Sequence, residues 1–105
     1  MAVNNPLRIR QITLDGVTWT PIYAPYDCNG FTIEDQGLAT DIKLRSDKDD
    51  ITTEVTCVAG TQRKVITNPP FTSAGDSSVV NFKKDELIIY AQSSSGTITA
   101  VTTYL

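Results

Sequence analysis

The sequence predicts an all-β fold, a mainly antiparallel sandwich or jelly roll of about eight strands. Three observations carry this expectation. Short runs of Val, Ile, Thr, Tyr and Phe recur along all 105 residues, each closed roughly every ten residues by Gly, Asp, Asn or Pro, which is the rhythm of strands and turns. Several runs alternate apolar and polar residues, as in Thr40-Asp-Ile-Lys-Leu-Arg-Ser46, so one face of the strand is buried and the other wet. Thr occurs fifteen times; its branched carbon fits a pleated surface while its hydroxyl stays hydrated.

In chain order, residues 1–6 form a polar arm stiffened by Pro6, and residues 7–105 a single β domain. Leu7–Leu14 and Val17–Tyr23 flank Asp15-Gly16, a dipeptide suited to a tight hairpin, so these two runs are expected to pair with each other. Pro21 has no N–H to give a ladder and places the second run at an edge or a bulge. A loop at 24–30 ends in Asn29-Gly30 and leads into Phe31–Glu34, with Phe31 and Ile33 on one inward face. Asp35-Gln-Gly37 turns the chain into the 40–46 strand. Asp47-Lys-Asp-Asp50 turns it again into 51–58, where Ile51, Thr53, Val55 and Cys57 share the side expected to face the core. Further strands follow at 61–67, 78–82, 87–92 and 97–105, separated by Asn68-Pro-Pro70 with the surface loop 71–77, a charged turn at 83–86 and a Ser/Gly turn at 93–96. Lys83–Gln92 also contains good helix formers, but the run is short, carries Ile88-Ile89-Tyr90 and is bounded by turn signals, which favours a strand. The expected core includes Ile9, Trp19, Phe31, Ile33, Ile42, Leu44, Val55, Phe82, Ile89 and Ile98.

Composition narrows the function. The chain has no histidine, which removes the commonest general base and metal ligand, and neither a Ser–His nor a Cys–His nucleophile can be built. No phosphate loop, dinucleotide fingerprint or Gly-x-Ser-x-Gly elbow is present, so no enzyme activity and no cofactor is expected. Glu34, Glu54 and Glu86 fit solvent-facing strand and turn positions better than a paired-carboxylate glycosidase. Asp47, Asp49 and Asp50 hold the oxygen ligands that Ca²⁺ uses, but Lys48 intrudes and neither a mid-loop Gly nor a closing Glu follows, so a polar hairpin tip is the simpler reading and no metal is expected. A net charge of −3 opposes nucleic-acid wrapping, and no run approaches the ~20 apolar residues of a membrane span. The N-terminal residues lack a basic start and apolar centre, so synthesis in a cytosol is expected, with Cys28 and Cys57 as buried free thiols. Tyr23 and Tyr26, on either side of Pro25, are candidates for a contact surface.

The arrangement resembles the small β-sandwich structural proteins of tailed-bacteriophage virions, in particular capsid decoration or cement proteins. The likeness lies in a polar N-terminal arm leading into a hairpin, the central strand and polar turn Thr40-Asp-Ile-Lys-Leu-Arg-Ser-Asp47, and the closing stretch Phe82-Lys-Lys-Asp-Glu-Leu-Ile-Ile-Tyr-Ala-Gln-Ser-Ser-Ser-Gly-Thr-Ile-Thr-Ala-Val-Thr102. The resemblance implies a non-enzymatic virion protein that binds capsid or other virion proteins, acts as a homo-oligomer such as a trimer, and reaches neighbours through its arm, here Val3, Asn4, Asn5 and Pro6. The alternative is a carbohydrate- or receptor-binding module of a phage fibre or spike, using Tyr23, Tyr26 and the loop that contains Phe71. Both readings place the protein in the virion, without nucleic acid or membrane as partner.

Overall fold

The computed structural model describes residues 8–65 and 82–105. These residues form eight strands: β1 Ile9–Leu14, β2 Thr20–Tyr23, β3 Phe31–Asp35, β4 Ile42–Arg45, β5 Glu54–Cys57, β6 Arg63–Val65, β7 Leu87–Ser93 and β8 Ile98–Tyr104. Two four-stranded sheets result, ordered β1-β8-β3-β6 and β2-β7-β4-β5, with every neighbouring pair antiparallel. The pairs β1·β8, β2·β7, β3·β6 and β4·β5 are those of one long ribbon folded back at the β4–β5 tip. Rolling that ribbon sets β8 beside β3 and β7 beside β4, and the fold is therefore a jelly roll.

The inward residues follow the strand period of two. Leu14, Phe31, Ile33, Ile42, Leu44, Ala91 and Ala100 have no exposed surface, and Phe82, Cys28 and Tyr104 pack with them. Phe31 stacks on Tyr104 with ring centroids 5.6 Å apart and planes 18° from parallel. Ile89 is buried, Ile98 packs against the core, and the 87–93 segment is a strand, as expected. Of the 78–82 run only Phe82 lies within the described residues, in an isolated bridge to Cys28.

The expected hairpin of the first two runs and the core placement of several residues are corrected. Residues 7–14 and 17–23 do not form a hairpin: β1 and β2 lie in different sheets. Asp15 Oδ1 instead accepts the N–H groups of Val17 at 2.8 Å and Thr18 at 2.6 Å, an Asx-type turn that carries the chain from one sheet to the other. The six-residue ladder between β1 and β8 outweighs the local turn signal. Pro21 nonetheless sits on an edge strand, with a register shift at Ile22/Tyr23 beside it, as its missing N–H requires.

Ile9 is 47% exposed, because β1 turns Ile12 and Leu14 inward and its odd-numbered residues outward. Apolar residues in this strand occupy odd positions at its start and even ones at its end, and a side chain's face is fixed by parity.

Trp19 and Val55 also leave the core. Trp19 lies on the outer face of the second sheet, half-buried beside Lys43 and Arg45. Val55 faces the same way as its partner Leu44 but is 43% exposed, since β5 is an edge strand that the opposite sheet does not cover there. Ile51, in a short 3-10 turn at Ile51–Thr53, is exposed as well, so of the four residues expected on that face Cys57 alone is fully buried.

Candidate functional site

Alternation on three adjacent strands generates one broad surface. With Leu14, Phe31, Ile33, Ala100, Thr102 and Tyr104 inward, β1 turns out Ile9, Gln11 and Thr13, β8 turns out Thr99, Val101 and Thr103, and β3 turns out Thr32 and Glu34. The register aligns them in rows across the sheet: Ile9 with Thr103 and Thr32, Gln11 with Val101 and Glu34, Thr13 with Thr99. Glu34 is the one charged residue among these eight. A surface of Thr, Val and Ile loses less hydration on docking than rows of Lys and Glu, so it suits contact with another protein.

The outer face of the second sheet is built differently. Arg45 pairs with Glu54 on the adjacent strand, Nε and Nη2 lying 2.9 and 2.8 Å from Oε1, while Nη1 donates to the Lys48 carbonyl at 2.8 Å. Its guanidinium also sits 4.4 Å from the Trp19 ring, with Lys43 at 5.8 Å. These contacts pin the β4–β5 tip and the start of β2 to the sheet and occupy the indole. The sequence held no local signal for them, since residues 19, 45 and 54 meet only through sheet order.

The aromatic candidates separate. Tyr23 ends β2 and is 54% exposed at a sheet edge. Tyr26 packs edge-on against Tyr104 at 6.1 Å, beneath the guanidinium groups of Arg8 at 5.1 Å and Arg10 at 5.7 Å. Tyr23 is thus available for contact, whereas the Tyr26 ring is engaged in holding β1 to the 24–30 loop. Val3, Asn4, Asn5, Pro6 and Phe71 lie outside the described residues.

The acidic tip and the thiols have local explanations. Asp47 Oδ1 accepts the Asp49 N–H at 3.0 Å, and Asp50 Oδ1 accepts both the N–H and the hydroxyl of Thr52, at 2.9 and 2.6 Å. Asp50 caps the 3-10 turn, and these hydrogen bonds hold its carboxyl below the usual range. Cys28 and Cys57 are both free and buried, and burial raises both thiol pKa values. Cys57 Sγ donates within reach of the Ile33 and Thr61 carbonyls, at 3.2 and 3.1 Å. Alkylation of the native protein at pH 7 should therefore be slow at both positions, and intact mass after denaturation without reductant should show two modified thiols; no modification would mean a disulfide.

Another site is legible only in three dimensions. Asp35, at the end of β3, accepts the N–H groups of Gly37, Ala39 and Thr40 at 3.1, 3.0 and 2.9 Å. Its carboxylate organises the 36–41 loop, in which Leu38 adopts a φ of 58° while remaining 54% exposed. The hydrogen bond from the Ala39 N–H, then those from Gly37 and Thr40, outweigh burial and lower the Asp35 pKa.

The arrangement defines a jelly-roll β-sandwich with one Thr-rich face and one face locked by ion-pair and cation–aromatic contacts. Comparison with protein-family models, curated proteins and solved structures finds no match.

Proposed function

We propose that this chain is a non-enzymatic virion structural protein of the decoration or cement type, a homo-oligomer that docks on capsid or other virion proteins and stabilises the shell by bridging subunits. The observation that carries the reading is the Thr/Val face of β1, β8 and β3, broad, aligned in rows and bearing a single carboxylate among its eight outward residues. Two further features support it: the absence of histidine and of nucleophile motifs in the sequence, and the arm at residues 1–6, whose composition suits reaching a neighbour. Weak contacts repeated by an oligomer on a symmetric shell raise apparent affinity by ~10²–10⁴ through avidity.

The carbohydrate- or receptor-binding reading draws on aromatic platforms. Here the Trp19 and Tyr26 rings are each covered by guanidinium groups, which leaves less aromatic surface for stacking on a sugar.

Co-sedimentation with empty capsids of the same phage tests the proposal. Full-length protein should pellet with the shells. Thr103→Lys, which puts a charge between Ile9 and Thr32, should weaken binding by roughly tenfold or more while leaving the melting temperature nearly unchanged. Removal of residues 1–6 should also weaken it. Binding to a defined glycan without binding to capsids would replace this reading with the module reading.

A further inference from the structure

Among the described residues the two sheets have four edge strands, and β2 and β5 carry features that oppose pairing with another chain. Pro21 and the register shift at Ile22/Tyr23 interrupt β2. The four-residue β5 has its Thr56 carbonyl occupied by the Arg63 guanidinium. Short edges, prolines, bulges and cations are the usual devices that prevent edge-to-edge association. The edge strand β1 has six residues, no Pro and no bulge, and its one cation, Arg10, lies over the Tyr26 ring.

The orientation of the β1 backbone follows from its ladder. Tyr104 N–H bonds the Arg8 carbonyl and the Thr102 hydroxyl bonds the Arg10 carbonyl, so even-numbered residues direct their backbone groups toward β8. Ile9, Gln11 and Thr13 consequently direct their N–H and C=O groups away from the sheet. Among the described residues no strand pairs with that side of β1. The Ile9 carbonyl is met by its neighbour's Arg10 Nη1 at 3.2 Å, an exposed contact that an incoming strand can displace.

The geometry points to a twofold dimer in which β1 pairs antiparallel with β1 of a second copy, centred on Gln11. Register arithmetic selects this centre. Opposed residues must share a face, so the candidate centres fall on Arg10, Gln11 or Ile12. Centring on Arg10 sets two guanidinium side chains directly opposite each other, which is destabilising. Centring on Ile12 pairs Gln11 with Thr13 but leaves Ile9 facing beyond the strand. Centring on Gln11 uses all three outward-bonding residues: Ile9 meets Thr13, Gln11 meets Gln11, and Arg10 meets Ile12, with no like charges opposed. The result is a continuous eight-stranded sheet that doubles the Thr/Val face. The inference specifies the homo-oligomer that the docking proposal includes, but its geometry stands without the shell.

Sedimentation equilibrium of the full chain should give twice the 11.5 kDa monomer mass. Backbone hydrogen exchange should show the Gln11 and Thr13 amides slowed at high concentration and released on dilution, while amides of β8 stay protected throughout. Gln11→Pro removes the central N–H, which lies outside the β1·β8 ladder, and should weaken dimerisation at least about a hundredfold. Because Pro also restrains the backbone, Gln11→Lys provides a second variant that keeps the N–H and sets two ammonium groups opposite each other; it should weaken dimerisation about tenfold at low salt and less at high salt. A monomer at millimolar concentration overturns the inference. So does an oligomer whose Gln11 and Thr13 amides exchange freely and which ignores both variants, since its interface lies elsewhere; in that case capsid binding by the same sample shows that the docking proposal survives without the edge pairing.

Discussion

Phe31→Ala should lower the stability of this protein by about 3–5 kcal/mol, the largest effect expected from a single truncation. Phe31 is fully buried, lies between Tyr104 of β8 and Val65 of β6 in the ladder register, and stacks on the Tyr104 ring. Its removal takes away both the transfer free energy of the ring and the contacts of the lining, because a close-packed sandwich collapses only partly around the void. Against a total of ~5–15 kcal/mol for a domain this size, the variant is close to unfolding at ambient temperature. Urea denaturation followed by far-ultraviolet circular dichroism measures it, and Phe31→Leu should recover most of the loss. A cost below about 1 kcal/mol for the alanine variant would show that the core is not organised around this ring.

Asp35→Ala should cost about 2–3 kcal/mol, because three backbone N–H groups lose their acceptor at once. Gly37 and Ala39 are exposed enough for water to replace part of what is lost, which keeps the figure below the sum of three buried orphans. The loop should loosen most at Leu38, whose left-handed backbone is costly for a side chain of that size. Leu38→Gly should therefore stabilise the native protein, by up to about 1 kcal/mol. The acid dependence follows with a definite sign. The Asp35 pKa is lowered from 3.8, so its contribution is fully present above the unfolded value and is lost as pH falls through the lower folded value. Asp15 is depressed chiefly by the Thr18 and Val17 backbone N–H groups, and Asp50 by the Thr52 hydroxyl and then its N–H, so both act in the same direction. Melting temperature should be flat from pH 7 to about 5 and decline below about 4, and Asp35→Asn should flatten part of that decline. A melting temperature that rises on acidification, or an unchanged slope in the Asn variant, would contradict the assignment.

The strands themselves were legible in the sequence because they rest on local information. Alternation in 31–35 and 42–45 put Phe31, Ile33, Ile42 and Leu44 inward, and those four are without exposed surface. Pro21 announced an edge through its own covalent chemistry, and the polar tip at 47–50 announced itself through Asp side chains that bond the nearest N–H groups. The Thr bias likewise anticipated the outward rows of β1, β3 and β8. Thr102 departs from it, buried with its hydroxyl on the Arg10 carbonyl, because its parity in β8 turns it inward.

Strand pairing lay beyond that local information. Asp15-Gly16 carries the same residues whether it closes a hairpin or carries the chain between sheets, and only the availability of β8 and β7 as longer partners decided between them. The inward side of Val55 was readable, but its exposure was not, since burial also requires a neighbour on the opposite sheet. Trp19, Arg45 and Glu54 met because the rolled ribbon placed β2, β7, β4 and β5 side by side. The sequence by itself determined where most of the described strands lie and which face of most of them is apolar, since period-two patterning and turn chemistry act within a few residues. The tertiary structure alone decided which edges are shielded, which faces are locked and which face remains a broad Thr-rich surface, because those properties arise from ladders between residues up to ninety or so positions apart.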